Sequence, residues 1–259
     1  MQRILQQAGR RLGGGRSFAA GLVAAGVTLL YPPVCMACKA ATDSSDTLCP
    51  ACWGAMRFIA EPLCDRLGTP FPVDYGGALL SPAAIADPPV FARARAVALY
   101  EGPARELVQR LKFNDRLELA KGMGRLMAVA GRDLIADCAL VVPVPLHWTR
   151  AWARRCNQAT ELARVIAAQT GVTLAPGLLR RVRRTHTQVG LTRAQRRDNL
   201  QGAFRLSTEA ALALTGRRVL LVDDVLTTGA TCNAAARVLL RGGAAAVDVL
   251  TFARVAADA

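Results

Sequence analysis

From Arg217 the chain reads RRVLLVDDVLTTGATCNAAARVLLRGG, and its polarity changes abruptly once. Val219 to Val222 is a continuous, branched apolar run, which predicts a strand buried on both faces of a parallel sheet. Asp223 and Asp224 follow directly at its carboxyl end. Thr227, Thr228, Gly229 and Thr231 suit a turn and a helix N-terminus, and from Asn233 the alanine-rich NAAARVLL predicts a helix stopped by Gly242 and Gly243. Upstream, RAVALY (95–100) is strand-like, and GPARELVQRLKF (102–113) has the early proline and the apolar spacing of a helix, through Leu107, Val108 and Leu111. LELAKGMGRLMAVAGRDL (117–134) continues as helix. ALVVPVPLHWTR (139–150) reads as a strand that ends at Pro143 and passes into a loop, and NQATELARVIAAQTG (157–171) as an amphipathic helix with a glycine stop. No internal repeat is evident.

The segment around the two acids constrains its ligand. In an open parallel sheet, ligands sit beyond the carboxyl ends of strands, and the unpaired N–H groups of a helix N-terminus attract anions. A phosphate fits the loop from Thr227 to Thr231, where hydroxyl and N–H groups donate and Gly229 permits close approach. Carboxylates beside that loop repel a phosphate but accept hydrogen bonds from neutral hydroxyls, which suits a sugar's vicinal diol. A phosphorylated ribose satisfies both halves. The run Asp223, Asp224, Val225, Leu226, Thr227, Thr228, Gly229, Ala230 and Thr231 resembles the phosphoribosyl-pyrophosphate (PRPP) motif of the type I phosphoribosyltransferases. A P-loop nucleotide site has no support, because no G-x-x-x-x-G-K-[ST] stretch occurs.

Composition adds limits. At 259 residues and 52% apolar content the chain can build a large domain plus a small one, and a disordered tail is excluded. The net charge of +14 is unevenly spread: between 139 and 197 eleven arginines face Glu161 alone, whereas 35–138 and 198–259 each balance. Such concentration points to an anionic partner, whether diphosphate or nucleic acid. At the N-terminus Arg3, Arg10, Arg11 and Arg16 precede an apolar run from Phe18 to Leu30, too short to span a bilayer and followed by no small-x-small cleavage site. Residues 1–31 are therefore expected to form a basic, apolar helix, with surface membrane contact left open, no transmembrane segment and a cytoplasmic location. Cys35-x-x-Cys38 and Cys49-x-x-Cys52 give two knuckles able to hold one structural zinc ion tetrahedrally, within residues 32–60. Residues 61–91, with TPFPVDYGG and SPAAIADPP, read as a linker. The main domain is expected over 92–259.

The succession of the zinc knuckle, LKF, VVPVPLHWTRAWARRCNQATELA, RTHTQVGLTRAQRRDNLQGAF and VLLVDDVLTTGAT resembles the ComF family of phosphoribosyltransferase-like competence proteins, over about 30–253. The resemblance implies an α/β type I phosphoribosyltransferase fold, a central parallel sheet flanked by helices, with a small N-terminal zinc-binding appendage. It implies that Asp223 and Asp224 hold the ribose hydroxyls and that Thr227 to Thr231 cradle the 5′-phosphate. Pro143, Val144, Pro145 and Arg150 occupy the place of the pyrophosphate loop. The segment with Arg184, Gln188, Arg193, Arg197 and Asn199 occupies that of the loop folding over PRPP. Lys112 either reaches the site or lies along its helix, and His147 and His186 are read as structural. An enzyme of this type would bind PRPP with magnesium and transfer the phosphoribosyl group, Asp223, Asp224 and Arg150 carrying the chemistry. Candidate partners are PRPP or a related ribose phosphate, single-stranded DNA, and competence or helicase proteins, with a dimer as candidate assembly.

The chain also departs from that pattern. Arg155-Cys156 stands before Asn157-Gln158 where relatives have Gly-Phe, and Leu67 stands where many carry the second cysteine of a further C-x-x-C pair that would begin at Cys64. The other reading is a non-catalytic adapter for single-stranded DNA. Trp148 and Trp152, interleaved with arginines, would stack bases there.

Overall fold

The computed structural model describes residues 32–74, 76–113, 116–146, 157–183, 200–208 and 210–256. The chain divides into two compact units, one up to Cys49 and one from Pro50 onward. In the first, the described residues form a tight turn closed by a bridge between Val34 and Ala41.

The second unit is built on five strands, β1 (Ala94–Leu99), β2 (Leu140–Pro143), β3 (Thr173–Leu174), β6 (Arg218–Leu226) and β7 (Ala246–Arg254), all parallel and ordered β1-β7-β6-β2-β3. Between β3 and β6, β4 (Leu179–Arg181) and β5 (Phe204–Leu206) form a separate antiparallel pair. The described helices are α1 (Pro50–Ala55), α2 (Pro82–Ala86), α3 (Gly102–Phe113), α4 (Leu119–Ala130), α5 (Arg132–Asp137), α6 (Gln158–Thr170), α7 (Ala210–Leu214) and α8 (Ala230–Arg241).

Both faces of the sheet are covered, as the continuous apolar run in β6 requires. Val219 and Leu221 join one apolar cluster with Ala235, Ala236 and Leu239 of α8. Leu220 and Val222, equally inaccessible, lie outside that cluster. Leu250, in register with Val222, meets the joint between α4 and α5, where a Cβ on Gly131 would stand 2.7 Å from it.

Several elements differ from the sequence expectation. The helix expected over 117–134 breaks at Gly131 into α4 and α5. β6 does not stop at Val222 but runs through both acids to Leu226, because β7 continues beside it and pairs with it as far as Arg254. α8 begins at Ala230, three residues before the expected start, since Gly229 takes φ 76° and turns the chain directly from strand into helix. The proline-rich stretch after Glu61 contains helix α2, whose first turn is capped by Ser81.

At the amino end of the sheet, opposite the acids, Asp248 of β7 is fully buried between two guanidinium groups. Arg93 donates to both its oxygens at 3.2 and 2.8 Å, and Arg218 at 3.2 and 3.0 Å. Arg93 also reaches Asp137 at 2.7 Å. Removing the shared acid takes the buried partner from both guanidinium groups and leaves Arg93 with Asp137 alone, so Asp248→Ala is expected to cost about 3 kcal/mol in chemical denaturation. A loss below about 1 kcal/mol would mean that these charges act like an exposed pair.

Candidate functional site

The strand order makes β2 and β6 neighbours although the chain leaves β2 for β3 on the opposite side, so the sheet's direction of winding reverses between them. A crevice opens at the carboxyl ends of strands at such a point. Pro143 ends β2 in register with Val222, and the Val144 N–H donates to the Val222 carbonyl at 2.9 Å. The Val144 carbonyl in turn accepts from the Asn157 side chain at 3.0 Å, while the Asn157 oxygen caps α6 through the Ala159 N–H. This places Pro143, Val144 and Pro145 next to the end of β6, where Asp223 and Asp224 stand.

Strand alternation sends the two acids to opposite faces of the sheet. Asp224 is buried, and Lys112 near the end of α3 meets its carboxylate at 3.0 Å. Burial pushes the Lys112 ammonium down, but attraction to Asp224 and Asp223 outweighs this and raises it above its ordinary value. Lys112 therefore reaches the site and stays charged there. Asp223 uses one oxygen to accept from the Asp224 N–H at 2.9 Å. Desolvation and the neighbouring Asp224 charge push the Asp223 carboxyl up to about 7, against the pull of Lys112, the Asp224 N–H and Arg181. The same acids, together with burial, hold the Cys232 thiol on α8 well above its usual range.

The loop from Thr227 to Thr231 lies between the end of β6 and the first turn of α8, whose N-cap Gly229 offers no side chain to the first-turn N–H groups. The Thr228 hydroxyl is buried with no hydrogen-bond partner among the described residues. Thr251 of β7, in register with Asp223, is fully buried, and its hydroxyl likewise has no partner among the described residues. Two orphaned donors and a half-buried acid in one place are chemically suited to a polyhydroxylated, phosphorylated ligand.

The structure thus brings together Asp223, Asp224, Val225, Leu226, Thr227, Thr228, Gly229, Ala230 and Thr231 with Pro143, Val144, Pro145 and Lys112. Arg150, Gln188, Arg193 and Arg197 lie outside the described residues, as do Arg184, Asn199, His147, His186, Trp148 and Trp152. Sequence reading missed Thr251, a polar residue inside an apolar strand run, and Arg181. Arg181 sits on β4 with its guanidinium 5.6 Å from the Phe204 ring centroid, and its charge acts on Asp223. The segment Val182–Ala203, which contains Arg193 and Arg197, joins β4 to β5.

In the N-terminal knuckle the sulfurs of Cys35, Cys38, Cys49 and Cys52 lie within 4.8 Å of one another. Burial pushes the Cys35 thiol up, but N–H groups of Cys49, Cys38 and Ala37 and the Cys38 side chain together pull it down to about 6. Four converging sulfurs, one readily ionised, fit a structural zinc ion with no open coordination position.

The double zinc ribbon family matches residues 26–83, and the phosphoribosyl transferase domain family matches residues 151–259. The DNA utilization protein YhgH of Escherichia coli strain K12 is 33% identical over 226 residues, which cover 85% of this chain and 90% of that protein. Competence protein F of Haemophilus influenzae is 35% identical over 160 residues, 60% of this chain and 69% of that protein. The chain belongs to the ComF family. Its place there joins the zinc ribbon and the parallel-sheet phosphoribosyltransferase fold in one chain. Among solved structures, phosphoribosylpyrophosphate synthetase from Mycobacterium smegmatis is similar to this ComF-family chain with 19% identity and a TM-score of 0.33, over 52% of this chain and 34% of that one. Among the described residues no helix is long and apolar enough to cross a membrane.

Proposed function

We propose that the chain binds PRPP, or a related ribose phosphate, with magnesium at the carboxyl ends of β6 and β2, and that it serves DNA uptake as a phosphoribosyltransferase-type protein. The observation that carries this reading is the Asp223–Asp224 pair at the winding reversal, with Lys112 compensating one acid and with the buried Thr228 and Thr251 hydroxyls, on the following loop and the neighbouring strand, without a partner among the described residues. In it, Asp223 and Asp224 accept from the ribose hydroxyls, and the Thr227–Thr231 loop donates to the 5′-phosphate. Pro143, Val144, Pro145 and Arg150 meet the diphosphate, and Gln188, Arg193 and Arg197 close over it. Magnesium, carried in by the diphosphate and suited to the oxygens of the acids, supplies neutralisation of charge on that group. The reaction open to such a site breaks the bond from the anomeric carbon to diphosphate, which leaves with the electron pair, while the lone pair of an acceptor nucleophile forms the new bond to that carbon. The acceptor gives up its proton to solvent, and the arginines stabilise the departing charge. Calorimetric titration of PRPP with magnesium into the wild-type chain tests the pocket. Saturable binding is expected, and its absence rejects the PRPP reading.

The raised Asp223 carboxyl gives this binding a pH signature. The group holds a proton below about 7 in the free protein, and only the carboxylate accepts fully from a diol or a cation. PRPP affinity is therefore expected to fall about tenfold for each pH unit below 7 and to level off above pH 8. Titrations between pH 5.5 and 8.5 read this directly, and a flat profile removes Asp223 from the binding step.

A second reading, an adapter for single-stranded DNA, draws on the names of the DNA utilization and competence relatives and on the eleven arginines between 139 and 197. Binding of a fluorescent oligonucleotide should then weaken steeply between 50 and 200 mM salt, by about tenfold or more. Affinity that ignores salt would leave the arginines as a solvated face.

A further inference from the structure

The stretch from Pro62 to Ala86, whose prolines and glycines suggest a linker, is held by the same set of hydrogen bonds as the four-cysteine knuckle. In the knuckle, the Cys35 N–H donates to the Ala40 carbonyl at 2.7 Å, Met36 to Thr47 at 2.9 Å, Lys39 to Cys35 at 3.0 Å and Thr42 to Pro33 at 3.0 Å. In the later stretch, Cys64 donates to Thr69 at 2.7 Å, Asp65 to Leu79 at 2.9 Å, Gly68 to Cys64 at 2.7 Å and Phe71 to Pro62 at 2.8 Å. The turn residues Lys39 and Gly68 share a left-handed backbone, φ 67° and 62°. The bridge between Val34 and Ala41 has its counterpart between Leu63 and Pro70. The Cys49 N–H donates to the Cys35 sulfur at 3.2 Å, and the Ser81 N–H donates to the Cys64 sulfur at 3.2 Å. Each stretch then enters a short helix opened by proline, α1 at Pro50 and α2 at Pro82.

With these bonds as the guide, LCPACW (48–53) aligns with LSPAAI (80–85), and the ligand positions Cys35, Cys38, Cys49 and Cys52 become Cys64, Leu67, Ser81 and Ala84. One thiol in four remains. Leu67 packs against the apolar cluster of the sheet, the Ser81 hydroxyl caps α2 by accepting from the Ala84 N–H at 3.3 Å, and Ala84 offers no ligand atom. This residue set does not fit a zinc ion.

The interactions that a metal would supply are found elsewhere. The Cys64 sulfur accepts from the Leu67 and Ser81 N–H groups at 3.4 and 3.2 Å. The turn docks on β1: the Arg66 carbonyl accepts from the Ala94 N–H at 2.9 Å, the Asp65 carbonyl accepts from Arg95 at 2.9 Å, and a Cβ on Gly68 would stand 2.3 Å from the Ala94 carbonyl oxygen. Arg254, buried at the end of β7, donates to the Leu67 carbonyl, and the Cys64 charge acts on it. A guanidinium thus lies beside the one retained sulfur.

We infer that residues 62–86 are a second zinc ribbon that folds without metal, anchored through Leu67, Arg66 and Asp65 to the phosphoribosyltransferase domain, and that its vacated ligand positions form a latent metal site. Zinc analysis together with hydrogen exchange tests this on the wild-type chain. About one zinc per chain is expected. A strong chelator should strip protection from the Cys35, Met36 and Lys39 amides and leave it at Cys64, Asp65 and Gly68. A variant carrying Leu67→Cys, Ser81→Cys and Ala84→Cys should take up a further zinc, raising the content to about two. Two zincs in the wild type, or protection lost together in both stretches, would overturn the inference. So would a folded triple variant that still holds one. The chelation experiment decides the matter even if that variant fails to fold.

Discussion

Changing Asp223 and Asp224 together to asparagine is expected to weaken PRPP binding in the presence of magnesium by about 10²-fold or more. Each acid can accept from a ribose hydroxyl, and hydrogen bonds to a charged group contribute about 1.5–3 kcal/mol each, so losing the charge on two acceptors multiplies to a loss of that order. Asparagine keeps the size of the side chain but offers a single neutral acceptor oxygen in place of two charged ones, the other position becoming a donor. The variant also leaves Lys112 buried without its partner at 3.0 Å, which adds an unpaired cation near the ligand. Inorganic diphosphate behaves differently, because the acids repel it: its affinity should hold or improve in the same variant. Calorimetry with both ligands therefore separates loss of ribose recognition from general damage to the pocket. Equal weakening of both would indicate a collapsed site, and unchanged PRPP affinity would remove the acids from recognition altogether.

What the sequence disclosed about this site follows from how local the signals are. The apolar run, the paired acids, Gly229 and the helix after it lie within one short stretch, so their strand-loop-helix order was legible from polarity alone. The end of the strand was not, because β6 is extended past Val222 by pairing with β7, a partner some 28 residues away in register. Lys112, already offered by the family resemblance as a residue that could reach the site, meets Asp224 from α3, whereas Thr251 and Arg181 stand on β7 and β4, and of these two only the polar position of Thr251 within an apolar run gave a hint. The second ribbon shows the opposite failure. Its backbone pattern survives, but the cysteines by which such a unit is recognised are replaced at 67, 81 and 84, and the spacing between its two turns is three residues longer than in the knuckle. Packing against β1 and Arg254 supplies what the ligands no longer do, and no composition rule reports a contact of that kind.

Cys35→Ser is expected to empty the knuckle of zinc, from about one ion per chain to near none, and to melt the turns it closes. Cys35 is buried, accepts the Cys49 N–H at 3.2 Å and stands among the four converging sulfurs, so its removal opens the set from the inside. A serine hydroxyl is a far weaker ligand for zinc, and three sulfurs cannot complete a closed tetrahedral set. Because the metal supplies much of the folding free energy in small ribbons of this kind, amide protection at Met36 and Lys39 should disappear with it. PRPP affinity should change far less, since a zinc held by four protein ligands has no position free for chemistry. Cys64→Ser is the matched control: it removes an equally buried thiol that also accepts a backbone N–H at 3.2 Å, yet it lies outside the four converging sulfurs and should leave the zinc content unchanged. Retention of zinc by Cys35→Ser, or its loss from Cys64→Ser, would mean that the metal is held by a different set of ligands.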